Sequence, residues 1–487
     1  MAHHLASEIP AHLLMWQRVR EYAVPPSMIE TATARRAVGD WAGACAAARI
    51  DVDLDLRAVR NRHGTELVAH LRADLRRLAP DLLRWHMPRI APDGRLRPGL
   101  TMSLAGYRTS GDTTPLQLVV RTPPTWADAG QRMSLALWEG PGDSAAVHHP
   151  HPHPDRRFRL DLHRHLWDSG LSGDLARRCG AGGAPSMTPP DRPADHDSPW
   201  AVARWAAEAE LLLRAEGRPR GAFTVRRGVR SRAVLELVAP DDSHAPMFRP
   251  LREALPPQEV AALPVLPEAA ARVLPDLELL RAGLVTAERL HPLVAAALTA
   301  SGRVTACGPA PVTGPVPEPG DPHRVECRGE VHRIALRDGV LAAIDHDPAE
   351  LRREELLVAL GGPALPCLRA IDAVHRNPEA LPAVRERLGH GDVAGALAVV
   401  VGLLGPGAVL RDGPLREELE SAAARRIDQG LFRSGLVAVH PGAGVAEGGD
   451  ASGVGHAEAG HRPRLNRHTP HEMRRKRSGR ARPRLAC

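Results

Sequence analysis

The sequence predicts an α+β protein, mainly α, in which helical hairpins accompany a small antiparallel sheet near 99–138 and a β-hairpin near 330–345, ahead of a disordered C-terminal tail. Three observations carry this. Leucines recur at helical spacing before residue 80, short alternating runs replace them around 99–138, and apolar periodicity stops after His440.

Each element has its own reason. Residues 26–87 read as helical: in ELVAHLRADLRRL, Leu67, Leu71, Leu75 and Leu78 fall at steps of four, four and three and line one face. Pro80 suits the first turn of a short following helix, PDLLRWHM. TMSLAGYR, PLQLVVRT and QRMSLALWE read as three strands separated by Gly, Asp, Thr and Pro. This first region, 1–140, passes into a Pro/His linker at 141–156. A helical middle region, 157–302, holds a flexible insert at 180–199, the helix AVARWAAEAELLLRAEG and a candidate strand, RAVLELV. Further helices lie between 267 and 300, where Gly283 ends one and Thr286 caps the next.

A Pro-rich linker covers 303–323. After it, VHRIAL, the turn RDG and VLAAI form the β-hairpin. Asp347 caps the next helix, Pro348 takes its first position, Glu350 completes a capping box, and Gly361 and Gly362 end it. Region 324–436 is therefore hairpin plus helices, and 437–487 is a disordered basic tail. GDWAGACAAA from Gly39 and GDVAGALAVV from Gly391 echo each other: Gly-Asp at a helix turn, then a small residue that lets the next helix approach. Two ordinary αα-hairpins explain the echo better than a helical-repeat array, which needs adjacent copies.

Composition excludes more than it assigns. Among 64 cationic side chains only Lys476 is lysine, so a P-loop lysine, a kinase strand lysine and a Schiff-base lysine are excluded from the folded body. Aromatics make up 3%, which leaves the cores to Ala, Leu and Val. Net charge is +7, but His461–Cys487 holds ten cations and one acid, Glu472, so residues 1–460 are close to neutral. The six cysteines, Cys45, Cys179, Cys307, Cys327, Cys367 and Cys487, form no CxxC and read as reduced, buried thiols. The N-terminal residues lack the charged-then-apolar pattern of a secretion signal. The apolar run AGALAVVVGLLGPGAVL (394–410) is short for a span and is broken at Pro406. It reads as a buried helix end and turn.

Several clusters have chemistry in their residue types and a plainer reading beside it. His148, His149, His151 and His153 alternate with Pro, and His163 and His165 follow in LHRHLWD. Imidazoles this dense hold Zn or Ni, whereas the alternation with Pro suits an extended linker. In DVDLDL, Asp51, Asp53 and Asp55 share a face if extended; Leu56 and Arg62 stand where a calcium loop needs Gly and Glu, so a half-buried edge strand is preferred. His323, Cys327 and His332, with Cys307 upstream, suit zinc by type, but their spacing matches no common closed site. Of Asp345, His346 and Asp347, the last is already the helix cap. GAGVAEGG from Gly442 misplaces the third Gly of a dinucleotide fingerprint. There is no G-x-S-x-G, HExxH or deaminase pattern. Arg474, Arg475, Lys476, Arg477, Arg480, Arg482 and Arg484 offer non-specific phosphate contacts without any aromatic to stack on bases.

GDWAGACAAARIDVDLDLRAV, LRRLAPDLLRWHMPR, AIDHDPAELRREELLVALGG and GPLREELESAAARRI resemble stretches of a protein family of high-GC, actinomycete-type bacteria that has no assigned activity. The resemblance implies a cytoplasmic, multi-part α+β body and supplies no catalytic residues. The expectation is a non-enzymatic intracellular protein that works through contacts with a protein partner, with no cofactor, no resident metal and no membrane. Two alternatives stand beside it: a nucleic-acid-associated protein acting through the tail, and a metal-dependent enzyme whose Asp/His site only folding assembles.

Overall fold

A computed structural model describes residues 9–108, 116–140, 149, 151, 153–179, 198–218, 220–228, 231–238, 245–301, 324–337, 340–376, 380–405, 407 and 409–436. About 51% of it is helix and 19% strand, an α+β protein in which helix dominates. The chain divides into two compact units: Met1–Pro124 with Arg132–Ala310, and Thr125–Gln131 with Pro311–Cys487.

The first unit begins with α1 (Ala11–Arg18), α2 (Pro26–Ala37), α3 (Trp41–Ala47), β1 (Ile50–Asp53), α4 (Leu56–Arg77) and α5 (Pro80–Trp85). Gly64, at φ 87°, breaks α4, and the stretch after it carries Leu67, Leu71, Leu75 and Leu78 into the core as their spacing requires. A short hairpin, β2 (Arg89–Ile90) and β3 (Arg95–Leu96), leads to β4 (Thr101–Tyr107), β5 (Leu116–Arg121) and β6 (Met133–Trp138). These last three form the expected antiparallel sheet, but β1 adds a parallel edge, giving the order β1–β6–β5–β4. DVDLDL is thus an edge strand only as far as Asp53, and Asp51 and Asp55 are engaged in different ways. Arg132 donates to Asp51 at 2.9 Å, and Asp55 caps α4 by accepting from the backbone N–H of Arg57 and Ala58.

The middle region holds more strand than its composition suggests. After α6 (Asp174–Arg178) and α7 (Trp205–Ala215) comes an antiparallel sheet of β7 (Gly221–Arg226), β8 (Arg232–Val238) and β9 (Met247–Pro250). Phe223, Val225, Leu235 and Leu237 bury one face of it against Trp205 and Leu213 of α7. Then follow α8 (Pro257–Ala262), α9 (Glu268–Ala271), α10 (Pro275–Arg281) and α11 (Pro292–Ala300). Gly283, at φ 66°, ends α10 as expected. Thr286 instead precedes a 3-10 turn, and α11 is capped by His291, whose Nδ1 accepts from Leu293 N–H while Nε2 donates to buried Asp81 at 2.8 Å. One imidazole thus caps the helix and satisfies a buried carboxylate together.

The second unit comprises β10 (Arg324–Cys327), β11 (Glu330–Arg337), β12 (Val340–Ala343), α12 (Pro348–Ala359), α13 (Pro366–Arg376), α14 (Leu381–Gly389), α15 (Val393–Leu404) and α16 (Pro414–Arg433). The expected hairpin is β11–β12, and β10 extends it to three antiparallel strands. On α15, Ala396, Val400 and Leu404 are buried while Leu397 and Val401 are exposed, so the long apolar run packs on one side only. Among the described residues no helix is long and apolar enough to cross a membrane.

The Gly-Asp echo is one local structure built twice. Gly39 and Gly391 take φ 76° and 80°. Asp40 and Asp392 then cap α3 and α15 by accepting from the N–H of Gly43 and Gly395. A Cβ on either second glycine would lie 2.1 Å from the capping carboxylate. The small residue therefore makes room for the cap rather than for the next helix. The copies differ at the first glycine: a Cβ at Gly39 meets nothing, whereas one at Gly391 would meet the Gly130 carbonyl at 2.0 Å.

Two predictions follow from this packing. G39A should cost about 1 kcal/mol, the penalty of an L-residue at positive φ, and G391A at least twice that, as read from denaturant unfolding followed at each unit. Glu278 lies beside His12, with Arg272 and Arg281 near, and burial pushes its carboxyl up to about 7 from 4.5 despite the two guanidiniums. Native protein therefore holds a proton that the unfolded chain releases, so this group favours folding least above pH 7 and carries no penalty below about 4.5. E278Q should raise Tm by a few degrees at pH 8 and leave it unchanged at pH 4.5, measured by differential scanning calorimetry.

Candidate metal centre

The β10–β11 connection is a two-residue turn, Arg328–Gly329, with φ 58° and 86°. It places Cys327 at the end of β10, opposite Glu330, and its side chain is fully buried. β12 ends at Ala343, and Asp345 then fixes the chain by accepting from Arg333 twice over, from its backbone N–H at 2.8 Å and from its guanidinium at 3.0 Å. His346 follows, held inward between that anchor and Asp347, which caps α12 through Ala349 N–H as expected. Glu350 does not complete a capping box. Its carboxylate takes the guanidinium of Arg328 at 2.6 Å, and Glu354 takes the same group at 2.9 Å. The stronger charge-assisted bond wins over a return to the backbone.

α12 stops as the glycine pair predicts: Gly361 is at φ 88° and Gly362 N–H reaches back to the Leu357 carbonyl. The chain then returns through Leu365 to Pro366, the first residue of α13, and Cys367 lies one residue inside it. Cys327, His346 and Cys367 are all buried, and one donor atom from each lies within 4.8 Å of the others. Zinc held by two thiolates and an imidazole needs such atoms about 3.5–4 Å apart, given metal bonds of about 2.0–2.3 Å, so small side-chain rotations would bring the three onto one ion and leave its fourth position to water or another ligand.

The Cys367 thiol is held protonated here, so a metal ion would bind by displacing its proton. Burial, then a thiol–thiol hydrogen bond with Cys327, push the Cys367 thiol up to about 11. The His346 Nε2 is buried with no hydrogen-bond partner among the described residues, a costly condition for an imidazole nitrogen. Its ring stacks on His332, centroids 4.0 Å apart and planes 16° apart. A lone pair lies in the plane of its own ring, so two stacked imidazoles do not aim at one ion. His332 walls the site rather than completing it.

Two of the three residues stand in separate motifs of the sequence, Cys327 near His332 and His346 between Asp345 and Asp347, and no local spacing joins them. Cys367 carried no signal beyond being a cysteine, since forty residues and a helix separate it from Cys327. The remaining candidates are engaged elsewhere. His149 is buried, with Nε2 against the Thr122 carbonyl at 2.9 Å, and His163 bridges the Arg159 carbonyl and Glu208. His165 is buried, and burial pushes its pKa well down. Cys307, His323, His148, the Gly442 motif and the basic residues Arg474 to Arg484 lie outside the described residues. Comparison with protein-family models, curated proteins and solved structures finds no match to this chain, so the reading of this centre rests on its own geometry.

Proposed function

We propose that this chain is a metal-binding interaction protein whose second unit is organised by a thiophilic divalent ion, zinc by donor type, and presents a helix to a protein partner. The observation that carries the reading is the convergence of Cys327, His346 and Cys367 at one buried point. What surrounds it supports a structural use. α12 contains no buried residue. The small core beside it consists of Cys327, Ala343, Leu365 and Cys367, with Leu351 and Leu368 packed on it. Half of that core is thiol, so an ion there does the work that apolar area does elsewhere. Two ligands bracket the helix, His346 just before it and Cys367 in the element after it.

Support for the partner comes from the outward side of the same helix. Leu356 and Leu360 are 64% and 86% exposed, with Leu357 and Val358 also exposed between them. Leu356 and Leu360 stand four apart, the spacing of anchors in helix-in-groove recognition. A reducing, cytoplasmic setting is part of the proposal, and the four described cysteines, all free and buried, support it.

Untagged full-length protein purified in reductant should carry about one zinc per chain after mild chelation, by elemental analysis. C327S, H346A and C367S should each lose it, while H151A/H153A should keep it, since tag-like binding by the Pro/His stretch is the competing source. Sub-stoichiometric metal in wild type, or metal unchanged in C327S, removes the reading. L356E/L360E should retain metal and stability within about 0.5 kcal/mol yet abolish cross-linking to the partner that wild type captures from its own cells. Equal capture by both proteins would place the contact elsewhere.

A further inference from the structure

Resting on the metal centre proposed above, a second chemistry attaches to its two thiols. Cys327 ends β10, and Cys367 lies in the first turn of α13, forty residues further on. Both are fully buried, their sulfurs lie within 4.8 Å of one another, and the two thiols share a hydrogen bond. A disulfide sets its sulfurs about 2.05 Å apart, so less than about 3 Å of travel, shared between two side chains, separates contact from bond. Cys45 and Cys179, the other described cysteines, are packed into the core of the first unit. Among the described residues of the second unit, each of these two sulfurs has only the other to pair with.

The pair is most reactive when it holds the ion. A thiolate, rather than a thiol, attacks an oxidant, and a metal ion takes cysteine as thiolate. The cover over the sulfurs is thin. Four buried residues make up the core around them, and α12 beside it contributes no buried residue. So small a core opens locally at low cost, which admits a small oxidant. In a reducing setting such a disulfide is transient, the usual mark of a redox-sensing pair rather than of a structural bridge.

We propose that Cys327 and Cys367 are a redox modification site, at which hydrogen peroxide joins them as an intrachain disulfide and frees the ion. One thiolate attacks an oxygen of the peroxide; the O–O bond breaks, giving a sulfenic acid and hydroxide. The second thiolate attacks the sulfenic sulfur, forms the S–S bond and expels a second hydroxide. The sulfurs lose two electrons, the peroxide gains them, and two protons from solvent turn both hydroxides into water. A disulfide offers no thiolate, so ion and cross-link exclude one another. The tie between β10 and α13 persists through the disulfide, while His346, just before α12, loses the ion. Oxidation thus releases the metal and loosens one end of the helix.

The test treats untagged full-length protein, freed of reductant, with hydrogen peroxide. Zinc content is measured before treatment, released zinc is read with a colorimetric chelator, and alkylated digests are weighed by mass spectrometry. Peptides bearing Cys327 and Cys367 should appear linked, the six thiols titrated in denaturant should fall to four, and zinc should leave in step with them. Reductant and added zinc should restore both the thiols and the bound ion. C307S/C487S, which removes the two cysteines outside the described residues, should behave in the same way, its four thiols falling to two. Protein that carries zinc yet keeps its six thiols under peroxide overturns the inference and leaves the metal centre standing. So does recovery of Cys327 and Cys367 as separate sulfinic acids or in bridges to other cysteines. Protein that carries no zinc before treatment overturns the metal reading, and the release of an ion with it, whether or not the two peptides link.

Discussion

A polar group taken out of water needs a partner, and this chain meets that condition differently in its two units. With few aromatics to fill its interior, the first unit threads charge through its cores. Asp74 accepts from Tyr107, Arg77 and Arg164; Glu208 from His163 and Arg178; Asp276 from the Trp85 indole. Arg164 and Arg178 are the long arms that make this possible, since a guanidinium delivers several N–H groups from one buried stem. The near-absence of lysine, a compositional fact, thus has a structural counterpart: the buried network is built from planar, multidentate cations.

In the second unit the same condition is met by imidazole and thiol. Cys327, His346 and Cys367 meet where a small domain would otherwise place large apolar side chains, and the His346 Nε2 has no partner from the described protein. The first-unit carboxylates named above each find N–H donors within the chain, whereas the thiol–imidazole cluster leaves a buried imidazole nitrogen unmatched among the described residues. That difference is why the metal reading attaches to this cluster and to none of the histidine-bearing pairs of the first unit, where Glu208 and Asp81 already occupy the imidazoles.

Much of the fold was legible in the sequence, and the failures have physical causes. The Leu67–Leu78 stripe, the strands of 99–138, the β11–β12 hairpin, the Asp347 cap and the glycine stop of α12 all follow local rules, and local rules act through neighbours in sequence. β1 and β10 were harder. β1 pairs in parallel with a strand eighty residues on, and β10 turns at Arg-Gly, which lacks the Asn or Asp that usually marks such a turn. β7 was hidden among Arg and Gly because only Phe223 and Val225 of its apolar residues needed full burial. For the metal centre the sequence offered Cys327 and His346 in separate motifs, and only the return of the chain after α12 adds Cys367.

The twelve residues of α12 are too few to hold helix alone, and of its apolar side chains only the half-buried Leu351 packs on the core beside it. Under the function proposed above, an ion fixing the ends of this helix and a partner gripping its outward face would draw on one ordering event. Whichever arrives first meets the entropy of that ordering, and the second meets less of it. Linkage makes the effect mutual: a partner bound to Leu356 and Leu360 tightens the hold on the ion by the same factor that the ion tightens the hold on the partner. Scarcity of the metal would then be felt as a loosened complex long before the protein itself came apart.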